Sequence, residues 1–442
     1  MCIVKVLKDL RFIKCKKGLT IENILFLVIL FVNLGIVLMV LSQGMSGNDY
    51  WWHVKTGEWI LHHGRIPEND IFSWIGIEYS IDWIPHEWLS DVIFYYIYSL
   101  GGHSAVYLFV LFLANGFIVT IHFFARKAFQ RNVLIIGCFL VFTSVIVTSV
   151  FYPRPQVFSN YIFLIVVWCL YQFIEHKNTK VLFFIPFITV LWSNLHGGFA
   201  MLSYVLCFIL LIFSLLPIKG RILSNRLNWN ERGKLLVVSV LSVLAIVINP
   251  IGFKVLLYPF INQGDNLMVS VITEWQAPDC KKPGEFLLYF IPIAFAIICF
   301  IGNRKRIRLI DFVYFGFFVF LFLRSVRFIL LWYIFMLFGG LKYIPVLKVK
   351  RITHPIEYIT TACATLGALA FLCYGLVGSV NTIVLSPEPI RSEVSSQMIQ
   401  YIKSEDVSIR LFNDYDYGGE LIFNDIPVFL IQEQICLLVT QL

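Results

Sequence analysis

Residues 48–88 hold the side chains in this sequence that are best suited to chemistry. They include two polar and aromatic stretches, which read Asn48-Asp49-Tyr50-Trp51-Trp52-His53 and His86-Glu87-Trp88-Leu89. Asn48 is predicted to cap a helix that ends at Gly64. On that helix Asp49 and His53 are four residues apart and share one face. Carboxylates and imidazoles accept and release protons, so the chemistry that these residues suggest is proton transfer.

The same stretch is rich in tryptophan. Six of the eleven tryptophans in the chain lie between Trp51 and Trp88. Tryptophan at headgroup depth anchors a segment that lies in the membrane plane. The pattern therefore predicts two amphipathic segments on the membrane surface that present carboxylates and imidazoles to a cavity. An aromatic belt without ligand contact is the alternative interpretation of these tryptophans.

The composition places these residues in a membrane protein. Hydrophobic residues make up 59% of the 442 residues, and charged residues make up only 14%. A soluble protein needs more charge on its surface, whereas a bilayer keeps charge out of its spans. The ten cysteines lie mostly in apolar runs and show neither a CxxC pair nor zinc-ligand spacing. A disulfide framework and redox chemistry are therefore not expected.

Apolar runs of about the length that crosses a bilayer recur along the chain. They predict an all-α polytopic membrane protein of about 11 transmembrane helices, with amphipathic interfacial helices in the first external loop. The first run, from Asn23 to Gln43, is too long for a signal peptide and is predicted to be an uncleaved span. The other runs are 104–125, 133–150, 157–175, 181–192, 199–217, 235–250, 286–302, 309–323, 327–345 and 358–380. A shorter stretch, 89–101, is predicted to lie at the interface.

The distribution of charge predicts the orientation of the chain. Segments that would face the cytoplasm hold 24 of the 35 lysines and arginines but only 6 of the 27 acidic residues. The positive-inside rule therefore places the N-terminus in the cytoplasm and the C-terminus outside. This topology explains the net charge of +8, so nucleic-acid binding is not expected. The predicted domains are a transmembrane domain over 1–380, whose first external loop is 44–103, and a small extracytoplasmic C-terminal segment over 381–442.

The order of these features resembles the GT-C superfamily of integral membrane glycosyltransferases, and in particular bacterial GT-C-like proteins of unassigned acceptor. The resemblance covers about residues 20–425 and begins with one span followed by an acidic residue and a large amphipathic loop. The matching stretches are Asp49-Tyr50-Trp51-Trp52-His53, Gly64-Arg65-Ile66-Pro67, His86-Glu87-Trp88-Leu89, Arg154-Pro155-Gln156, Trp192-Ser193-Asn194-Leu195-His196-Gly197 and Tyr415-Asp416-Tyr417-Gly418-Gly419. No single stretch is a specific motif, and the similarity lies in their order.

The resemblance implies an inverting glycosyltransferase in the plasma membrane of a bacterial cell, surrounded by membrane lipids. Its donor would be a polyprenyl-phosphate-linked sugar, and its acceptor an extracytoplasmic glycan, lipid or protein. The phosphate of the donor is a good leaving group, so no paired general acid is needed, in contrast to glycoside hydrolases. Resembling proteins continue past Gly419 into a longer soluble domain, so the apolar ending at Leu442 predicts a truncated or divergent C-terminus.

The resemblance also implies roles for individual residues. Asp49, just after the first span, would be the general base that takes the proton of an acceptor hydroxyl. Glu87 is the next catalytic candidate, and His53 is a third. The candidates for contact with the lipid phosphate and sugar of the donor are Arg154, Arg324, Arg327 and His196. Glu87 or Glu274 could help to hold a divalent metal, and the sequence leaves that requirement undecided.

Other interpretations stay open at the level of the sequence. Asp49 can be a helix cap or a solvated acid, and His196 can serve a loop turn. Arg324 and Arg327 can form structural ion pairs with a glutamate. The alternative functions are a polysaccharide polymerase or ligase, and a non-enzymatic transporter or assembly protein. The first usually carries its arginines in large late loops, and a transporter carries charged or broken helices near the bilayer midplane.

Overall fold

The protein is helical throughout the part of the chain that the structure describes. This computed structural model describes residues 21–45, 47–128, 133–216, 227–262, 272–302, 307–343, 355–385, 390–405 and 410–429. Three isolated β-bridges and no strand occur in those ranges. Long apolar sequences form helices because a helix pairs its own backbone N–H and C=O groups, as a bilayer requires. The predicted all-α class is confirmed for these ranges.

The longer helices are numbered here along the chain, and the shortest helical turns are left unnumbered. The first eight are α1 (Ile21–Leu41), α2 (Asn48–His63), α3 (Trp74–Tyr79), α4 (Trp88–Ala128), α5 (Val133–Val150), α6 (Gln156–His176), α7 (Phe184–Leu195) and α8 (Leu202–Leu215). They are followed by α9 (Trp229–Ile246), α10 (Lys254–Asn262), α11 (Ile291–Gly302), α12 (Leu309–Arg324), α13 (Ile329–Gly339), α14 (Pro355–Leu385), α15 (Ser396–Ser404) and α16 (Gly418–Phe423).

Seven helical segments of the described chain are long and apolar enough to cross a membrane. They are Asn23–Leu41, Trp88–Lys127, Gln156–His176, Gly197–Leu215, Pro283–Gly302, Val326–Tyr343 and Thr360–Val384. The other four predicted spans coincide with α5, α7, α9 and α12. Two of these are shorter apolar helices, α9 begins with a charged turn, and α12 has only 16 residues. The structure thus supports a multi-pass membrane protein with seven candidate spans, and the count of about 11 stays a prediction.

Most of the helices share one hydrophobic core. The first helix, α1, packs along α14 and also contacts α5, while α9 packs against α7 and α8. In α14, only 17% of the residues in the apolar window of Thr360–Val384 are buried within the protein, as expected for a helix that faces lipid. These contacts hold the ends of the apolar helices together around the loops that carry the polar residues.

The stretch predicted to lie at the interface, 89–101, forms the first part of α4. Within α4, Gly101 and Gly102 have non-helical backbone angles, and the φ of +64° at Gly102 is one that favours glycine. The break separates residues 88–100, against which α2 packs, from the apolar remainder of α4. The segment between α1 and this break therefore has its own helical platform.

The C-terminal segment packs on the segment between α1 and the break in α4. A second hydrophobic cluster joins them, and it consists of Trp52, Phe72, Trp83, Val394, Ile399, Leu421, Ile422, Ile426 and Val428. Gly419 of α16 lies against the backbone carbonyl of Asn48, where the Cβ of any other residue would overlap that carbonyl. The tail thus supports the beginning of α2. The predicted apolar ending, 430–442, lies outside the described residues.

Candidate functional site

A cavity of about 500 Å³ brings together every residue that the sequence predicts for the site. Its lining includes Asp49, His53, Glu87, Arg154, His196, Arg324 and Arg327, together with Glu274. They come from α2, from the segment before α4, from the loops that precede α6, α8, α11 and α13, and from the end of α12. Residues as far apart in the sequence as Asp49 and Arg327 thus meet at one place, which is the arrangement that a binding or catalytic site requires.

Helix α2 presents two of these residues. As predicted, it ends at Gly64, whose φ is +62°, and Asp49 and His53 both face the cavity from its first two turns. The predicted cap was wrong by one residue. Gly47 occupies the N-cap position without a side-chain hydrogen bond, and Asn48 is the first helical residue. Asp49 is therefore in the first turn, where the helix dipole favours a carboxylate.

A close helix contact sets the position of His53. Gly57, one turn further along α2, lies against the backbone carbonyl of Asp91 and the side chain of Tyr95 in α4. This approach lets Nδ1 of His53 come within 2.6 Å of Oδ1 of Asp91. Both side chains are buried. The imidazole is thereby held with its other nitrogen towards the cavity.

We expect Gly57→Ala to destabilise the protein, because its Cβ would overlap the carbonyl of Asp91 and force the two helices apart. Overpacking of this kind costs about 1–3 kcal/mol. The melting temperature in detergent, followed by tryptophan fluorescence, measures the loss. Gly233→Ala is the matched control, since Gly233 is within α9 and nothing lies near its missing Cβ. That substitution should be neutral or stabilising, and equal melting temperatures for the two variants would contradict the close contact.

A chain of alternating charges crosses one side of the cavity. Oδ2 of Asp49 is 3.5 Å from Nη1 of Arg154, and the same Nη1 is 2.7 Å from Oε2 of Glu274. Oε1 of Glu274 is in turn 3.6 Å from Nε of Arg327. The loop that carries Glu274 is tied down because the hydroxyl of Ser325 donates to its backbone carbonyl at 2.8 Å. The ion pair of Arg327 with Glu274, left open by the sequence, is therefore present.

The two carboxylates of this chain differ in acidity. Burial raises the pKa of Asp49, and the opposing effect of Arg154 does not cancel that rise. Burial also acts to raise the pKa of Glu274, but Arg154 and Arg327 together outweigh it and hold that pKa below its usual range. When environments separate two pKa values in this way, the group with the higher value is the better base. Asp49 is therefore the better proton acceptor of the two.

Asp49 also keeps one oxygen for another partner. Its Oδ1 is buried and accepts no hydrogen bond of normal geometry from the described residues. The indole of Trp52 is close enough to favour the charged carboxylate, but its N–H also lacks an acceptor of normal geometry in that part of the chain. A buried oxygen without a donor is costly, so a hydroxyl group that enters the cavity would find an acceptor in place.

Arg324 differs from the other two arginines of the cavity. It lies at the end of α12 and is exposed at the cavity wall. It has no ion pair with any residue in the described ranges. Next to it the wall is apolar, and it is formed by Leu202, Val205, Phe317, Phe320 and Leu321. The cavity thus places a free guanidinium beside a hydrophobic surface that α8 and α12 provide.

A group of imidazoles surrounds Glu87 on another side of the cavity. One ligand atom from each of His86, Glu87 and His196 lies within 4.8 Å of the others, so the three residues could hold a metal ion. Burial lowers the pKa of His86 to about 3. Burial, helped by Arg154 near His53 and by Arg327 near His196, also holds the pKa of those two imidazoles well below the usual value. All three rings are therefore neutral near pH 7.

Sequence reasoning missed three polar residues of this site. His86 was part of a quoted stretch but was not predicted to belong to the site, although it adjoins Glu87. Asp91 follows Glu87 by four residues, a helical spacing that could have drawn attention to it. Ser159, whose hydroxyl lies 2.8 Å from Nδ1 of His196, has no signal in the sequence. The predicted loop turn at His196 is present, but the side chain is buried and lines the cavity.

Comparison with known proteins adds no assignment. No protein-family model matches this sequence, and a search of curated proteins finds no match.

Proposed function

We propose that this protein is a membrane glycosyltransferase of the GT-C type that transfers a sugar from a polyprenyl-phosphate donor to an extracytoplasmic acceptor. The observation that carries the proposal is the composition of the cavity wall. A carboxylate with a raised pKa, three arginines and an apolar surface line one space of about 500 Å³. This combination suits a ligand with a phosphate head, a polyprenyl tail and a reacting hydroxyl partner.

The proposed reaction uses the side chains in separate roles. Asp49 accepts the proton of the acceptor hydroxyl as the oxygen attacks the anomeric carbon of the donor. The bond from that carbon to the phosphate breaks, and polyprenyl phosphate leaves with inversion of the sugar. Arg324 and Arg327 bind the phosphate oxygens, because guanidinium groups pair with them bidentately. Arg154 remains between Asp49 and Glu274 and keeps the base in place.

The proposed topology agrees with these roles. In an arrangement of about 11 spans with a cytoplasmic N-terminus, the first external loop and Arg154 lie on the outer side of the plasma membrane. The loops that carry His196, Glu274 and Arg327 lie on that side as well. Every polar residue of the cavity then belongs to an external loop or to the external end of a span, where a lipid-linked donor presents its head group.

Two measurements on the reconstituted wild-type protein test the proposal. The first is binding of a polyprenyl phosphate in lipid nanodiscs, with a polyprenyl alcohol as the control for the tail alone. The second is transfer of label from a panel of radiolabelled polyprenyl-phosphate sugars to a membrane extract. We expect the phosphate to bind in preference to the alcohol, and at least one donor to give a labelled product. Equal binding of phosphate and alcohol would contradict the proposal.

A further inference from the structure

We propose that His86, Glu87 and His196 form a binding site for a transition-metal dication of the zinc type, with His53 beside it. Glu87 lies at the centre of the group. Its Oε1 is 3.0 Å from Nε2 of His196 and 3.7 Å from Nε2 of His86, and its Oε2 is 3.8 Å from Nε2 of His53. One ligand atom from each of His86, Glu87 and His196 lies within 4.8 Å of the others. Three side chains that are common zinc ligands thus lie around one point, as in zinc sites that keep a water molecule as the fourth ligand.

The hydrogen-bond partners of Nδ1 in His53 and His86 show which ring nitrogen carries the hydrogen. Nδ1 of His53 is 2.6 Å from a carboxylate oxygen of Asp91, and Nδ1 of His86 is 3.3 Å from the backbone carbonyl of Ile84. A carboxylate and a carbonyl only accept hydrogen bonds, so each Nδ1 must be the donor. In a neutral imidazole the Nε2 then has a lone pair. Both lone pairs face the carboxylate of Glu87.

This arrangement suits a cation between Glu87 and the imidazoles of His86 and His196. A nitrogen lone pair and a carboxylate oxygen are both acceptors, so a metal ion between them would bind both. Ligands of one tetrahedral zinc ion, at about 2.0–2.2 Å from the metal, are about 3.4 Å from one another. The separations of 3.0 and 3.7 Å from Oε1 of Glu87 to Nε2 of His196 and of His86 bracket that value. A metal ion would therefore fit beside this oxygen with only small movements.

The supports behind the rings are those that metal-binding histidines usually have. Such histidines donate their second N–H to a carboxylate, a carbonyl or another polar group, which fixes the ring. Asp91 does this for His53, and the carbonyl of Ile84 does it for His86. Behind His196, Ser159 Oγ lies 2.8 Å from Nδ1 and also accepts from the indole of Trp192 at 2.8 Å.

The burial and type of the ligands favour zinc over harder ions. The exposed fractions of His53, His86, Glu87 and His196 lie between 1% and 7%, so a bound ion would be largely removed from water. Imidazole nitrogens suit zinc and its neighbours in the transition series, whereas magnesium and calcium prefer sites built from oxygen atoms. Arg327 would compete with a metal ion for His196, because its Nη2 lies 3.4 Å from Nε2 of that residue. The contact is long for a hydrogen bond, and Arg327 also has Glu274 as a partner.

Zinc binding to the purified full-length protein tests this proposal. The protein carries no histidine tag, is treated with a chelator, and is equilibrated with zinc chloride or magnesium chloride before its metal content is measured. We expect about one zinc per chain in the wild type, no retained magnesium, and a higher melting temperature with zinc. His86→Gln should lose the bound zinc. His63→Gln is the matched control, because His63 is exposed on α2 and does not line the cavity.

A second variant keeps the result interpretable if His86→Gln does not fold. Ser159→Ala removes the hydroxyl behind His196, and loss of such an outer partner typically lowers metal affinity 10- to 100-fold. X-ray absorption at the zinc edge should show only nitrogen and oxygen near 2.0–2.1 Å, which separates this site from zinc on one of the ten cysteines, where sulfur would appear near 2.3 Å.

The opposite result would overturn the proposal. If the wild type holds no more zinc than His86→Gln, or if the zinc has sulfur ligands, the imidazoles share a proton with Glu87 and no metal site exists. The outcome is separate from that of the glycosyltransferase proposal, because no sugar transfer is measured. If zinc binds but polyprenyl phosphate does not bind in preference to the alcohol, only the glycosyltransferase proposal is contradicted. If polyprenyl phosphate binds but zinc does not, only the metal-site proposal is contradicted.

Discussion

Replacement of Asp49 by asparagine should lower the rate of sugar transfer by about a hundredfold or more, the loss expected for a general base. Asparagine keeps the size of the side chain but cannot accept the proton of the acceptor hydroxyl. The substitution also leaves Arg154 paired with Glu274, whose oxygen is closer to that guanidinium than Asp49 is. The arginine therefore keeps a partner, and the loss reports on the base. Initial rates of label transfer by reconstituted protein measure it.

The control for this prediction is Asp82→Asn. Asp82 lies between α3 and α4, is exposed, and has Lys254 as a distant partner at 3.9 Å. Exposed pairs of this kind contribute little to stability, so the control should transfer sugar at the wild-type rate. Equal rates for Asp49→Asn and the control would mean that the base is elsewhere, and Glu87 would then be the next residue to replace.

The acid side of the pH–rate profile offers an independent check on Asp49. A base works only when it is deprotonated, so the rate falls as the pH drops through its pKa. Because burial raises the pKa of Asp49 above its ordinary value, the fall should begin at a higher pH than for an exposed aspartate. Removal of the negative charge of Glu274 would lower the pKa of Asp49 and move the fall to lower pH.

The beginning of α2 could be predicted from the sequence because its signals are local. The polar start at Asn48, the spacing of Asp49 and His53, and the end at Gly64 all lie within 17 residues of one another. Such patterns depend on helix geometry and on the conformational freedom of glycine, and neither requires knowledge of the fold. The error of one residue at the cap is of the size that helix ends commonly show.

The partners of the site residues could not be predicted, because they come together only in the folded chain. His53 meets Asp91 through the close approach at Gly57, and His196 meets Ser159 across 37 positions of sequence. A serine in the first turn of an apolar helix such as α6 has no distinguishing pattern. Likewise, the packing of the C-terminal segment on Trp52 depends on a cluster whose members are spread from residue 52 to residue 428.

The number of membrane spans could not be predicted from hydropathy alone. Every predicted apolar run contains or coincides with a helix, so the type of each element followed from its sequence. Length is a separate matter. Helix α12 has 16 residues and ends at Arg324, and α9 begins with Glu231, Arg232 and Lys234. Short or charged helices in a bundle can cross a membrane only where neighbouring helices or tilt compensate, and hydropathy alone does not decide that.

Arg324 is the arginine whose replacement should most directly weaken binding of the lipid phosphate. Arg154 and Arg327 already pair with Glu274, whereas Arg324 has no ion pair among the described residues and faces the cavity beside its apolar wall. Arg324→Gln therefore leaves no described carboxylate without its cation. A hydrogen bond to a charged group contributes about 1.5–3 kcal/mol, so affinity for polyprenyl phosphate should fall about 10- to 100-fold.

The matched control is Arg65→Gln. Arg65 follows the end of α2, is exposed, lies over the ring of Trp59, and is not part of the cavity lining. Binding of the polyprenyl alcohol separates charge from packing, because it should be equal in wild type, Arg324→Gln and the control. A loss of alcohol and phosphate binding together would mean that Arg324 supports the apolar wall. An unchanged affinity for the phosphate would mean that Arg327 binds it instead. Arg327 would then have to give up its ion pair with Glu274 when the ligand binds.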